Sequence, residues 1–372
     1  MKRDQILGLD LVRFSAALMV VFFHLTYWIS RPAETTPGRI TGWVFDFGGL
    51  GVSFGWVGVE IFFVLSGFVI AYSASSGKAF KFLRSRILRL APAAWVCATL
   101  SLLAAWAIND GGALQLAARY VRSVIFFPGG PWIDGTYWTL GIEIVFYGAV
   151  FVLISLKRFW WIEGLAVGLA LVCAGFWGWH LATDPSERIE YSRLVELFLV
   201  RHGCFFALGV MLWLANERGW SALRIATTIG AIATGLVEIY YSALEHDFGP
   251  KPDAVIPALV WLSALAMIGL SVRANAGFHK LAGTRGAALL RTLGLATYPL
   301  YLLHQLIGSA VMAALWRMGV PQPICLAVAV VSMLALSILV ARVAEPWVAA
   351  RLRTVIDGCE SIGQRWKARF AV

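Results

Sequence analysis

Residues 8–29 read GLDLVRFSAALMVVFFHLTYWI, and this stretch decides the fold. As a helix rising about 1.5 Å per residue it is long enough to cross a hydrocarbon core of about 30 Å. Lys2 and Arg3 precede it, as basic residues precede a secretion signal. However, Asp10, Arg13 and His24 interrupt the apolar run and no small-residue cleavage pattern follows. The segment therefore reads as an uncleaved first membrane span.

Similar windows recur along the chain. We read ten spans, with nine or eleven also compatible, at roughly 8–29, 54–76, 92–108, 137–156, 159–181, 194–215, 225–243, 253–272, 292–315 and 322–344. The 372 residues are 59% hydrophobic and only 14% charged, with mean hydropathy +0.75, which excludes a water-soluble globule. The fold class expected is all-α, a polytopic membrane helix bundle of about ten transmembrane helices. Residues 113–127 are apolar but carry Arg119 and Arg122, so they read as an interfacial amphipathic helix. No repeat or linker divides the chain: residues 1–347 form one transmembrane domain and 348–372 a cytoplasmic, basic, amphipathic tail.

Orientation follows from the basic residues, since cytoplasmic loops retain Lys and Arg. With the N-terminus inside, 20 of the 31 fall in inner segments, among them Lys78, Lys81, Arg84, Arg86 and Arg89, so both termini are expected in the cytoplasm (N-in/C-in). The net charge of +10 then calls for anionic lipid at the inner loops and for no nucleic acid. The five cysteines show no paired or metal-type spacing. Many of the 17 tryptophans, such as Trp28, Trp56 and Trp138, sit near span ends as interfacial anchors.

A charged group at membrane depth costs at least ~2.5 kcal/mol, so each needs a partner or a task. Arg13 and His24 are eleven residues apart, which at about 100° per residue returns them to within about 20° of one helix face, roughly 16 Å apart. The second span carries Glu60, and the segment after it Arg86 and Arg89, which share a face if the next helix has begun. The fourth span carries Glu143, the sixth Arg201 and His202, and the ninth Tyr298, Tyr301 and His304. Two layers are expected: Arg13, Arg86 and Arg89 at the inner face, and His24, Glu60, Glu143, Arg201 and His304 in the middle or outer half. No His/Asp/Glu cluster has metal-ligand spacing, and the histidines fall on different spans, so no metal is expected.

In order, these residues resemble the acyltransferase family 3 of integral membrane acyltransferases, which modify bacterial surface polysaccharides, Nod factors and some antibiotics. The resemblance rests on Leu9-Asp10-Leu11-Val12-Arg13 with His24, then Phe62-Phe63-Val64-Leu65-Ser66-Gly67-Phe68, then Arg86 with Arg89. Trp138-Thr139-Leu140 with Glu143, Phe205-Phe206 with Gly209, Tyr298 with Tyr301 and His304, and Glu345-Pro346 follow. Phe14 stands where a small residue is common.

The resemblance implies an acyl-CoA donor, acetyl-CoA by family precedent, a carbohydrate or glycoconjugate acceptor, and the bacterial inner membrane. Arg86 and Arg89 suit the donor's phosphates. Arg13 is expected to stabilise donor phosphate or charge on the thioester oxygen, and His24 to act as general base or as transient acyl carrier. Glu143 would orient His24 or bind a sugar hydroxyl, while Glu60, Arg201, Tyr298 and His304 are assigned to substrate binding. The alternative is a transporter or flippase, because ten spans with buried Arg, His and Glu also suit a substrate path. The acceptor, the acyl chain and whether the chain forms a homo-oligomer stay open.

Overall fold

The computed structural model describes residues 6–30, 36–42, 44–47, 52–183, 192–246 and 253–369, which are helical with no strand among them. Lys2 and Arg3, and the tail side chains from 361 onward, lie outside what it describes. The helices are α1 (Leu7–Phe22), α2 (Thr36–Thr41), α3 (Gly58–Ala74), α4 (Ala79–Ala107), α5 (Ala113–Val124), α6 (Trp138–Ser155) and α7 (Ile162–Thr183). They continue with α8 (Arg193–Leu197), α9 (Gly203–Arg218), α10 (Ala222–His246), α11 (Val255–Arg273), α12 (Asn275–Arg317), α13 (Gln322–Leu339) and α14 (Glu345–Arg369).

Among the described residues nine helical segments are long and apolar enough to cross a membrane. Each satisfies its own backbone internally, which is the condition lipid imposes. The difference from ten lies at 194–215, where the expected single span is broken. Leu199 adopts φ 60°, which stops α8, and α9 restarts at Gly203 with 16 residues. Arg201 and His202 therefore sit on the turn before α9 and not within a span helix.

Close backbone approach holds the centre together. A Cβ on Gly209 of α9 would meet the Val64 carbonyl oxygen of α3 at 2.0 Å, and one on Gly67 would meet that of Phe206 at 2.2 Å. Only small residues permit such a crossing, the usual way helices associate where lipid is as apolar as the helices themselves. α1 likewise lies against the start of α3 and packs along α12.

Three departures from regular helix matter for the site. Phe23–Tyr27 form a single π-turn after α1, a feature that recurs at functional sites and shifts the helix register. The face calculated for Arg13 and His24 at 100° per residue therefore does not carry across it unchanged. α12 breaks at Gly283 (φ 61°) and contains Pro299. A second π-turn, Val340–Ala344, joins α13 to α14.

α4 runs for 29 residues, well ahead of the expected 92–108, and carries Arg84, Arg86 and Arg89 on helix. α5 is a 12-residue helix packed on α4, too short to span. Its Arg119 is buried and pairs with Asp110 at 2.9 Å, and Asp110 also pairs with Arg39. α14 packs on α4 through ion pairs from Arg84 to Asp357 (2.6 Å) and from Arg89 to Glu345 (3.3 Å).

Candidate active site

Helices α1, α3, α4, α6 and α12 enclose a cavity of about 230 Å³ whose polar lining includes Arg13, Ser66, Arg86, Arg89, Glu143, Tyr147, Tyr298 and Tyr301. Six of the residues singled out from sequence thus meet here: Arg13, Arg86, Arg89, Glu143, Tyr298 and Tyr301. Their convergence from four helices is what the sequence could not specify.

The wall is electropositive. Arg13 lies 3.7 Å from Asp10 one turn earlier on α1, and Arg89 pairs with Glu345, but Arg86 has no carboxylate partner among the described residues. Among the described residues Glu143 is the one carboxylate lining the cavity. It accepts hydrogen bonds from Ser66 Oγ at 2.9 Å and Tyr147 Oη at 2.6 Å. With Asp10 beside Arg13 and Glu345 on Arg89, Arg86 is the guanidinium of this wall without a carboxylate partner among the described residues.

Glu143, expected in the layer of His24, instead belongs to the arginine cavity. None of the hydrogen bonds described joins it to His24. The partner of His24 is His304 on α12, with His24 Nδ1 3.2 Å from His304 Nε2. The proton positions follow from the acceptors. His304 Nδ1 lies 2.9 Å from the Tyr301 carbonyl and His24 Nδ1 lies 2.9 Å from that of Val20. A carbonyl only accepts, so in the neutral rings both Nδ1 atoms carry hydrogen. His304 Nε2 is then an acceptor for His24 Nδ1–H, and His24 Nε2 keeps its lone pair. The histidine pair lies outside the cavity lining but adjoins it through Tyr301, whose ring centroid is 6.0 Å from that of His304.

The segment holding His304 is tied to the loop before α6. Buried Asp134 accepts from the Leu306 backbone N–H at 3.0 Å and from the backbone and hydroxyl of Thr136 at 2.9 and 2.8 Å. Burial pushes its carboxyl above the ordinary aspartate range, and these three donors pull it back.

Glu60 and Arg201 are elsewhere. They line a second cavity, of about 180 Å³, with Trp56, Trp138, His202 and Glu245; Val59 alone is common to both linings. Arg201 pairs with Glu238 at 3.1 Å and with Glu245 at 2.9 Å. Sequence reasoning missed Tyr147, although it stands four residues after Glu143 and so on the same helix face. It also passed over Glu238, a carboxylate inside the expected span 225–243 whose depth was signal enough.

Residues 6–342 match the family described as "Acyltransferase domain". The chain is similar to "Nodulation protein 10" of Rhizobium leguminosarum bv. viciae, at 27% identity covering 82% of this chain and 84% of that protein. It is also similar to "Exopolysaccharide production protein ExoZ" of Rhizobium meliloti, at 27% identity covering 75% of this chain and 84% of that protein. A third relative is "O-acetyl transferase" of Shigella phage Sf6, 28% identical over 59% of this chain and 66% of its own length. No solved structure matches.

Proposed function

The chain belongs to this acyltransferase family, and from that premise we propose that it transfers an acyl group, acetyl in the first instance, from acyl-CoA to a hydroxyl of a carbohydrate or glycoconjugate. The name of one relative, O-acetyl transferase, supports acetyl and oxygen, and that of another, an exopolysaccharide production protein, supports the carbohydrate. The multi-pass bundle is assigned to the bacterial inner membrane, N-in/C-in, so that the donor enters from the cytoplasm.

The observation that carries the reading is a cavity walled by Arg13, Arg86 and Arg89 that adjoins a histidine pair in which no hydrogen bond to His24 Nε2 is found among the described residues. At about 230 Å³ it is smaller than the roughly 300–1,000 Å³ of a site that encloses a whole drug-sized ligand, so the donor is gripped in part. Arg86 and Arg89 hold donor phosphates through charge-assisted hydrogen bonds. Arg13 stabilises charge developing on the thioester oxygen. Glu143, held by Ser66 and Tyr147, faces the same space and offers an acceptor to a sugar hydroxyl.

In the direct route His24 Nε2 takes the proton of the acceptor hydroxyl as its oxygen attacks the thioester carbonyl. The new C–O bond forms, the C–S bond breaks, and the thiolate of coenzyme A recovers the proton. In the two-step route the imidazole itself carries the acyl group between donor and acceptor. Both need His24, so His24→Ala should lower acyl transfer by about 10²–10⁴-fold while membrane insertion and expression stay normal. Undiminished transfer by that variant, in membranes supplied with acetyl-CoA, would remove the proposal.

A further inference from the structure

We propose that Glu60, His202 and Glu238 form a binding site for one divalent cation of the zinc or manganese class. The expectation of no metal rested on spacing along the chain. The fold changes that premise, because Glu60 comes from α3, His202 from the turn before α9 and Glu238 from α10. One ligand atom from each lies within 4.8 Å of the others. Ligands at about 2.1 Å around a tetrahedral ion are about 3.4 Å apart, so a closure of at most about 1.4 Å brings the three atoms onto one ion.

Three independent features point to an occupant. The first is unmet bonding. His202 is 2% exposed, Glu60 4% and Glu238 fully buried. Both ring nitrogens of His202, Oε2 of Glu60 and Oε2 of Glu238 nonetheless have no hydrogen-bond partner among the described residues. Buried polar atoms are normally satisfied, and one ion would take three of these four, a single ring nitrogen of His202 and one oxygen from each glutamate.

The second is charge. Glu60, Glu238 and Glu245 stand against one guanidinium, that of Arg201, which binds Glu238 and Glu245. With all three carboxylates ionised, a divalent cation would bring this group to neutrality. The His202 ring packs near Phe63, Trp138 and Phe205, apolar surroundings in which uncompensated charge is costly.

The third is support behind the ligand. Oε1 of Glu238 accepts from Arg201 Nε at 3.1 Å and from Ser242 Oγ at 2.8 Å, which orients the carboxylate and leaves Oε2 for an ion. Such outer hydrogen bonds are how proteins aim metal ligands. One imidazole with two carboxylates suits zinc or manganese and is poor in the oxygen ligands calcium requires. Glu60 and His202 also line the second cavity, so a fourth coordination position faces open space.

The test is metal analysis of the full-length protein, purified in detergent through a tag without histidine and dialysed against Zn²⁺ or Mn²⁺. About one ion per chain is expected, and Glu60→Gln and His202→Ala should each cut occupancy about tenfold or more. Chelation should lower the Tm of the wild-type protein, and the same ion should restore it. His24→Ala should keep its ion whatever its activity, which separates this site from the acyl-transfer reading. Glu60→Gln preserves volume, so it decides the matter even if His202→Ala fails to fold. Protein that takes up neither ion, or variants that hold it as well as wild type, would overturn the assignment.

Discussion

Replacing His304 tests whether the histidine pair works as a unit. Its Nε2 is the acceptor that, with the Val20 carbonyl, fixes the Nδ1 proton of His24. In His304→Ala that proton still has Val20 O at 2.9 Å, so it is not stranded. The loss is therefore one shared hydrogen bond, about 1–2 kcal/mol and not the larger penalty of a buried orphan. At about 1.36 kcal/mol per tenfold, kcat should fall about 5–30-fold, well short of the loss expected for His24→Ala. KM for acetyl-CoA should stay level, because His304 is not in the arginine cavity lining. The assay is thiol release from acetyl-CoA by membranes containing the acceptor, normalised to folded protein by gel filtration, since His304 is fully buried. His304→Gln, whose amide oxygen can accept from His24, should recover part of the rate. The double variant with His24→Ala should be no slower than His24→Ala alone. A kcat within about twofold of wild type for His304→Ala, or a change confined to KM, would refute the pairing.

Combined replacement of Arg86 and Arg89 by Ala should raise the apparent KM for acetyl-CoA by about tenfold or more per arginine, because each charge-assisted bond to phosphate contributes about 1.5–3 kcal/mol; Glu345→Gln, which frees Arg89 from its ion pair, should leave donor dependence intact, and unchanged KM in the double variant would return these residues to topology. Gly209→Ala should lower the Tm, since its Cβ would fall 2.0 Å from the Val64 carbonyl, an overpacking of about 1–3 kcal/mol; an unchanged melting curve would contradict the close crossing of α3 and α9. Asp134→Ala should destabilise by about 1–3 kcal/mol by leaving the Leu306 and Thr136 donors buried without their acceptor. Thermal unfolding indistinguishable from wild type would show that the loop does not anchor α12.

The sequence alone determined the membrane bundle, the set of polar side chains that lipid does not tolerate without cause, and the helical phase that pairs Arg86 with Arg89. Hydropathy and local periodicity are properties of single segments, and each spanning helix bonds its own backbone, so these were legible without neighbours. Which side chains meet was settled in three dimensions. Glu143 joined the arginines and not His24, His304 joined His24, and Glu60 faced His202 and Glu238 across three elements. Two local breaks, the φ 60° residue Leu199 and the π-turn at Phe23–Tyr27, moved His202 out of a span and changed the register at His24. The physical reason is that in lipid the apolar surface of one helix suits every other equally. Neighbours are then selected by contacts at glycines such as Gly67 and Gly209 and by polar pairings between helices, and these depend on three-dimensional proximity, not on spacing along the chain.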